Sequence, residues 1–368
     1  MTVSAEIAII GGGLCGLALA ERLQHAGMDY TLLEARGRLG GRILSKVIDG
    51  AAFDLGPAWF WPIQPRMTAL VGRLGLEVFD QFSEGAVVAE DRGGRVLRNA
   101  GWASMQGSCR VDGGLERLTS GLAKNLAQDR VHTNVRVTSL TRESPHIVVG
   151  AERGGQPMCI RASRVVLALP PRIAEATLAW QPEPPTAVRR ALAAIPTWMA
   201  GQAKILAVYD RPYWREAGLS GDAMSQKGPM VEIHDASPAR GGPFALFGFV
   251  GTPPGIRTRY REQTLRGATE QLGRLFGKEM LNPSHIEFQD WAEEALTATS
   301  ADRASHGHPV ASEGEPALDD LWEGRILFAG AESASQFPGY LEGALEAAEH
   351  MADRLSGATR RKPAAGGS

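Results

Sequence analysis

The sequence predicts an α/β fold organised around a Rossmann-like βαβ unit, and three observations carry that prediction. Residues 5–10, Ala-Glu-Ile-Ala-Ile-Ile, form an apolar run that reads as a buried strand. Gly11-Gly12-Gly13 breaks it, and Leu14, Leu17, Ala18, Ala20 and Leu23 then recur at helical spacing until Gly27 closes the helix. Tyr30 to Leu33 is a second apolar run, ending at Glu34. Strand, helix and strand in this order imply a parallel pair joined by a crossover helix.

The remaining elements follow the same logic. Met67, Leu70, Val71 and Leu74 mark a helix over 64–75. The alternating, Gly- and Arg-rich stretch from 85 to 104 reads as short strands, and 115–128 as an amphipathic helix. Val131–Leu140 and Ile147–Val149 read as strands, and 165–169 as a buried strand stopped by Pro170-Pro171. The Pro-rich 180–186 reads as a crossing segment. Strands are expected at Lys204–Tyr209 and Phe244–Val250, a long helix at 258–277 and a loop at 301–318. A last buried strand, Ile326–Ala329, precedes a last helix over 339–356, and 358–368 is expected to be disordered.

Composition narrows the function. The chain has 368 residues, 43% hydrophobic and 22% charged, with a formal net charge of −2. No global basic field exists to recruit nucleic acid or an anionic membrane. No apolar run reaches the roughly 18 residues of a membrane span. The N-terminus enters a strand at once, which leaves no room for a signal peptide. Cys15, Cys109 and Cys159 are too few and too scattered for a disulfide framework, so a cytoplasmic location is expected. No metal site is expected. His306 and His308 lie close together, but no third ligand is nearby.

Gly11, Gly13 and Gly16 form GxGxxG between the first strand and its helix. Gly11 makes the turn, Gly13 lets backbone approach a pyrophosphate, and Gly16 lets the helix pack against the sheet. The helix N-terminus offers N–H groups to the phosphates. Glu34, at the end of the second strand, can accept hydrogen bonds from ribose hydroxyls. These features bind a dinucleotide without choosing between NAD and FAD. The string Glu34-Ala35-Arg36-Gly37-Arg38-Leu39-Gly40-Gly41-Arg42 adds a second glycine pair and fixed cations, with Arg42 able to reach a pyrophosphate oxygen.

That string, joined to GxGxxG, resembles the flavin-containing amine oxidase family: monoamine oxidases, polyamine oxidases and L-amino-acid oxidases. The resemblance recurs along the chain. Asp54-Leu55-Gly56-Pro57-Ala58-Trp59 is similar to the family segment that approaches the flavin ring. Pro57 replaces its usual second glycine and removes an N–H donor. Val137 matches a valine that holds the adenine end. Phe328-Ala329-Gly330-Ala331-Glu332 and Pro338-Gly339-Tyr340-Leu341-Glu342-Gly343-Ala344 resemble the family's closing motif at the flavin's pyrimidine end. The resemblance implies FAD as cofactor, with Arg36, Gly41, Gly330, Glu332, Tyr340 and Leu341 among its contacts.

The resemblance also implies the catalytic residues. Lys204 stands eight residues before Pro212 and ten before Trp214, where the family's lysine holds a water against flavin N5. Asp290-Trp291-Ala292-Glu293-Glu294 is similar to the Asp-Trp-x-x-Glu segment beside the flavin, which marks Trp291. Ser300 occupies the position of a cysteine that some monoamine oxidases join to the flavin, so FAD is expected to be non-covalent. Ala301 replaces one aromatic of the family's two-ring cage and Tyr340 keeps the other.

The implied fold interleaves a Rossmann-like FAD-binding domain (1–80, 108–195 and 291–357) with a smaller α+β substrate domain containing a mixed sheet (81–107 and 196–290). The chain is short between Phe82 and Arg110, which implies a more open cavity or one covered by another subunit, as in a homo-oligomer. The implied reaction is hydride transfer from the carbon beside an amine or amino-acid nitrogen to flavin N5, then imine hydrolysis and reoxidation by O2 to hydrogen peroxide. A dehydrogenase or desaturase acting on a non-amine substrate, and a non-catalytic FAD-binding protein, are the alternatives. Arg211, Arg215, Arg257 and Arg259 are all candidates to bind a substrate carboxylate.

Overall fold

A computed structural model describes residues 2–99, 101–304, 318 and 321–360. His306 and His308 lie outside them, as does most of the expected 301–318 loop. Two large sheets organise the described residues. In the first, the strand Thr2–Ile10 lies between parallel neighbours, Tyr30–Leu33 on one side and Gln156–Leu167 on the other. Val131–His132 extends one edge, and Ile326–Phe328 pairs with the C-terminal part of Gln156–Leu167. The N-terminal part of that same strand continues instead into an antiparallel meander with His146–Arg153 and Val135–Glu143. Sequence periodicity finds only the end of this strand, because its 12 residues change partners midway and their burial pattern changes with them.

The helix Leu14–His25 packs its apolar face on this sheet, together with Glu116–Lys124 and the last helix, Leu341–Arg360. Leu17, Leu19 and Leu23 are fully buried there. The last helix runs four residues past its expected end, through Gly357, and reaches into the segment expected to be disordered; no proline intervenes before Arg360. Its buried Glu342 accepts from the backbone N–H groups of Arg66 (3.1 Å) and Met67 (2.9 Å). These are first-turn donors of the helix Pro65–Arg73, which has no side-chain cap of its own.

The second sheet is mixed, in the order His285–Asp290, Ala203–Tyr209, Phe244–Val250, Met230–Asp235, Leu219–Ser225, Ala86–Glu90, Val96–Arg98. Its alternation of faces is visible in Ala203–Tyr209. Ile205 and Ala207 pack with Ala268, Leu272 and Leu275 of the helix Arg261–Phe276. Leu206 and Val208 pack on the opposite face with Phe53, Leu55 and Ala58. Lys204 shares this second face, so the strand carries it toward the loop 54–59 and the first sheet.

Candidate active site

A cavity of about 550 Å³ lies between the two sheets. Its wall gathers residues from both ends of the sequence: Gly11, Gly13, Glu34, Arg36, Gly41, Arg42, Gly56, Pro57, Ala58, Trp59, Lys204, Trp291, Gly330, Glu332, Tyr340 and Leu341. Two of the expected positions are not on it. Gly16 stands behind the wall, and Val137 is 8% exposed in the core beneath the first sheet, packed with residues such as Ile10, Leu33 and Leu140.

The glycine turn is built for close backbone approach. A Cβ on Gly16 would fall 2.0 Å from the carbonyl oxygen of Gly11, so the helix can cross the strand end there only as glycine. A Cβ on Gly13 would meet only the Cα of Gly41, at 3.9 Å, and the space beside it is open. The helix Leu14–His25 starts at Gly13 with no side-chain cap, leaving its first N–H groups for a ligand. Glu34 is buried, and its two oxygens accept from the N–H groups of Gly12 and Arg36, both at 2.8 Å. Each oxygen retains a further lone pair for a hydroxyl. Open glycine backbone, an uncapped helix start and a fixed carboxylate fit the pyrophosphate and ribose of a dinucleotide. Cys15 adds no reactivity, because burial pushes its thiol up to about 12.

Arg36 donates to Glu294 (3.1 Å) and Thr297 (2.9 Å). Arg42 pairs with Glu332 at 2.7 Å, and Glu332 is buried. These pairs join the N-terminal unit to segments more than 250 residues away. Gly56 sits directly on Arg42, where a Cβ would come within 2.1 Å of the Arg42 carbonyl oxygen. The loop 54–59 is thereby held against the 40–42 turn.

Lys204 is 4% exposed. Its Nζ donates to the Gly56 carbonyl at 2.5 Å and lies 4.1 Å from the Phe247 ring centroid, 5.3 Å from Phe249 and 5.7 Å from Trp59. Burial lowers its pKa to about 7, opposed by Asp54 and assisted by Arg110. Asp54 is itself buried and shifted upward by burial, although it accepts from Ser45 (2.6 Å) and the Leu115 N–H (3.0 Å). Trp291 is buried, and its Nε1 donates to the Leu55 carbonyl at 3.0 Å.

Several wall residues were not legible in the sequence. Trp198 places its ring 6.2 Å from that of Tyr340, tilted by 32°, so the wall carries a second aromatic beside Tyr340. Neither Ser300 nor Ala301 is on the wall. Trp198 belongs to the irregular segment 195–202, in which Met199 adopts a left-handed backbone (φ 60°). Asp302 secures that segment. It is fully buried, and it accepts from the Thr197 N–H (3.1 Å), Arg172 (2.6 Å), and both the N–H and hydroxyl of Thr299 (2.8 and 2.7 Å). Met105, Val231 and Glu232 complete the substrate-side wall.

None of the four arginines proposed to hold a substrate carboxylate lines the cavity. Arg211 pairs with Glu216, Arg215 with Asp235 and Arg257 with Asp290, while Arg259 lies against Tyr260. Among the described residues, no group of three metal-ligating side chains is present, and no helix is long and apolar enough to cross a membrane.

Comparison with known proteins identifies the family of the chain. The family model for flavin containing amine oxidoreductases matches residues 14–104 and 103–356. A probable flavin-containing monoamine oxidase A from Dictyostelium discoideum is 23% identical, covering 94% of this chain and 96% of that one. The amine oxidase [flavin-containing] B of Sus scrofa is 22% identical over 99% of this chain and 88% of its own. Among solved structures, cyclohexylamine oxidase from Brevibacterium oxydans superposes with a TM-score of 0.82 at 19% identity, covering 97% of this chain and all of the other. A putrescine oxidase bound to putrescine gives 0.81 at 20% identity, with 97% of this chain covered. The chain belongs to the family of flavin containing amine oxidoreductases, and it is an FAD-dependent oxidoreductase.

Proposed function

We propose that this enzyme oxidises a small amine that carries no carboxylate beside its nitrogen. The observation that carries the reading is the buried Lys204, held on the substrate sheet and opening onto the same cavity as the glycine turn, Glu34 and Tyr340. Bound FAD would supply two-electron acceptance, taking hydride at N5 from the carbon beside a neutral amine, with hydrolysis of the resulting imine and return of the electrons to O2 as hydrogen peroxide.

The protein's own contributions are binding, orientation and proton placement. Gly11, Gly13, Glu34, Arg36, Gly41 and Arg42 would hold the nucleotide end, and Gly56, Pro57, Ala58, Trp59, Gly330, Glu332 and Leu341 would hold the flavin end. Gly16 acts through the turn it permits, and Val137 through the strand beneath it. Lys204, with its pKa near neutrality, can hold a proton or a water at Nζ without a permanently charged group in the cavity. Tyr340 keeps its proton, since burial raises its pKa. With Trp198 it offers a pair of rings to guide an uncharged amine. Trp291 would back the flavin. Cys15 is the one cysteine on the described wall and is held as the thiol, which supports non-covalent FAD. The two sheets support the expected division into an FAD-binding and a substrate domain, and a cytoplasmic location is retained as part of the reading.

The amine reading is favoured over an amino-acid oxidase because the two arginines that reach the cavity, Arg36 and Arg42, are already paired with Glu294 and Glu332. The test is the visible flavin spectrum of the purified protein mixed without oxygen with amines and with α-amino acids. Bleaching by amines alone, with colour and peroxide returning on air, is the expected result. Bleaching by amino acids alone, or by neither class, would overturn the proposal.

A further inference from the structure

Gln81 stands behind the cavity wall, 3% exposed, and the reaction above gives it no part. Backbone pairing brings it beside Trp59. On one side Cys109 exchanges hydrogen bonds with Phe60, its own N–H donating at 2.7 Å and that of Phe60 at 3.0 Å. On the other side Cys109 pairs with Asp80, and the Gln81 N–H donates to the Ser108 carbonyl at 2.9 Å. Trp59 and Gln81 therefore flank the same short segment, 108–109.

The Gln81 side chain joins three parts of the fold. Its Oε1 accepts from Trp59 Nε1 at 2.7 Å. Its Nε2 donates to the carbonyls of Asp235 (2.8 Å) and Phe82 (3.2 Å). An indole nitrogen can only donate, and an amide has its donors at one end and its acceptor at the other. All of these groups are used, so the amide has one workable orientation. A flip would set its NH2 against the indole N–H and its oxygen against two carbonyls. Asp235 ends the strand Met230–Asp235 of the second sheet, and buried Arg110 holds the next two carbonyls, Ala236 at 3.0 Å and Ser237 at 2.7 Å. The acceptor offered to Trp59 is thereby anchored to the substrate sheet.

Trp59 lines the cavity and Gln81 does not, so the one polar atom of the indole is directed behind the wall. The ring itself packs on Phe247 (5.3 Å between centroids, tilted 40°) and edge-on to His234 (4.9 Å, 79°), and Lys204 Nζ lies 5.7 Å from its centroid. What remains for a ligand is apolar ring surface beside Lys204. We propose that Gln81 is a positioning residue for the substrate: it fixes the plane of Trp59 and keeps the indole N–H out of the cavity, so that ring surface meets the carbon chain of the amine. The identity of that ligand rests on the amine-oxidase reading; the clamp is a property of the protein alone.

Isotope labelling of the indole nitrogens lets NMR report the clamp without any ligand. The chain has eight tryptophans, and the signal lost in Trp59→Phe is that of Trp59. In flavin-loaded Gln81→Met this signal should shift, and its N–H should exchange with heavy water about tenfold or more faster than in the wild type. The half-saturating concentration of a straight-chain monoamine, read from anaerobic flavin reduction, should rise about 3–10-fold, with limiting rate and flavin content within about twofold of the wild type. In the Trp59→Phe background the same substitution should move half-saturation by less than about twofold, because no N–H is left to hold. An unchanged Trp59 signal overturns the proposal, as does an equal loss of amine binding in both backgrounds. Gln81→Asn, which keeps the amide but draws it back by one methylene, takes the place of the Met variant should that one not fold, with the same outcomes. A lost clamp signal with no amine bleaching the flavin of either protein would sink the amine-oxidase reading and leave the clamp on Trp59 standing. Bleaching of both proteins at the same half-saturation would do the reverse and overturn the positioning role.

Discussion

Replacing Lys204 by Met separates the chemistry at Nζ from the packing of its stem. Met keeps most of the side chain's length and adapts to apolar surroundings such as Phe247 and Phe249. The change removes the donor to the Gly56 carbonyl, and an acceptor left without a partner costs about 1–3 kcal/mol. It also removes an amine whose burial drives its pKa from 10.5 to about 7. A depressed pKa in the folded state means full stability above the unfolded value and a loss as pH falls through about 7. The variant escapes this loss, so its thermal midpoint relative to wild type should be higher at pH 6 than at pH 10. Asp54 works in the same direction, because without Lys204 its proton is held more firmly at low pH. Activity should move the other way. A group that holds a proton or water beside the reacting atoms is worth about 10²–10⁴ in rate, or roughly 3–5 kcal/mol of barrier. Anaerobic stopped-flow reduction by the best amine, followed by mixing with oxygen, would locate the loss in one half-reaction or the other. Flavin content should be unchanged. If both half-reactions retain wild-type rates and pH profiles, Lys204 has no part in the chemistry.

Other substitutions test the remaining contacts. Gly16→Ala forces a methyl group against the Gly11 carbonyl and should cost at least the 1–3 kcal/mol of an overpacked site, read as a lower melting midpoint and substoichiometric flavin; a fully loaded variant melting with the wild type would contradict the crossing geometry. Glu34→Ala strands the N–H groups of Gly12 and Arg36 and removes the carboxylate offered to the ribose, so flavin should be lost on gel filtration. Trp198→Ala strips the ring beside Tyr340 and should weaken amine binding by about 3–10-fold, seen in the concentration dependence of flavin reduction rather than in its limiting rate.

The nucleotide half was legible because its signals are local. A glycine turn, a 3.6-residue period and a carboxylate at a strand end lie within about thirty residues of one another. The strands Leu219–Ser225 and Met230–Asp235 were not found, and the reason is physical. Both are buried along most of their length yet carry Ser220, Asp222, Ser225 and His234, so neither alternates nor reads as apolar. Some of their polar groups find partners far away in sequence, such as Glu90 for Ser225. Only the register of these strands places His234 between Asp222 and Glu232. Trp198 escaped for a related reason, since the segment 195–202 has no period at all. The helix Thr186–Ala194 was not read, because it follows directly on the Pro-rich 180–186 and its N-cap position is Pro185, with no side-chain cap to mark the start.

The anchoring of segment 195–202 by Asp302 has a consequence for how a substrate is received. One buried carboxylate fastens Thr197, Arg172 and Thr299, and the strained Met199 persists because its flanks are held. The aromatic wall is therefore set during folding, before any ligand arrives. An incoming molecule has little loop ordering to impose on this side, so the entropy lost on association falls mainly on the ligand itself. Discrimination between substrates then depends on how well each matches a shape already in place. Loosening the anchor, for instance with Asp302→Asn, would turn that rigid selection into adjustable fit and blur the enzyme's preference before abolishing its turnover.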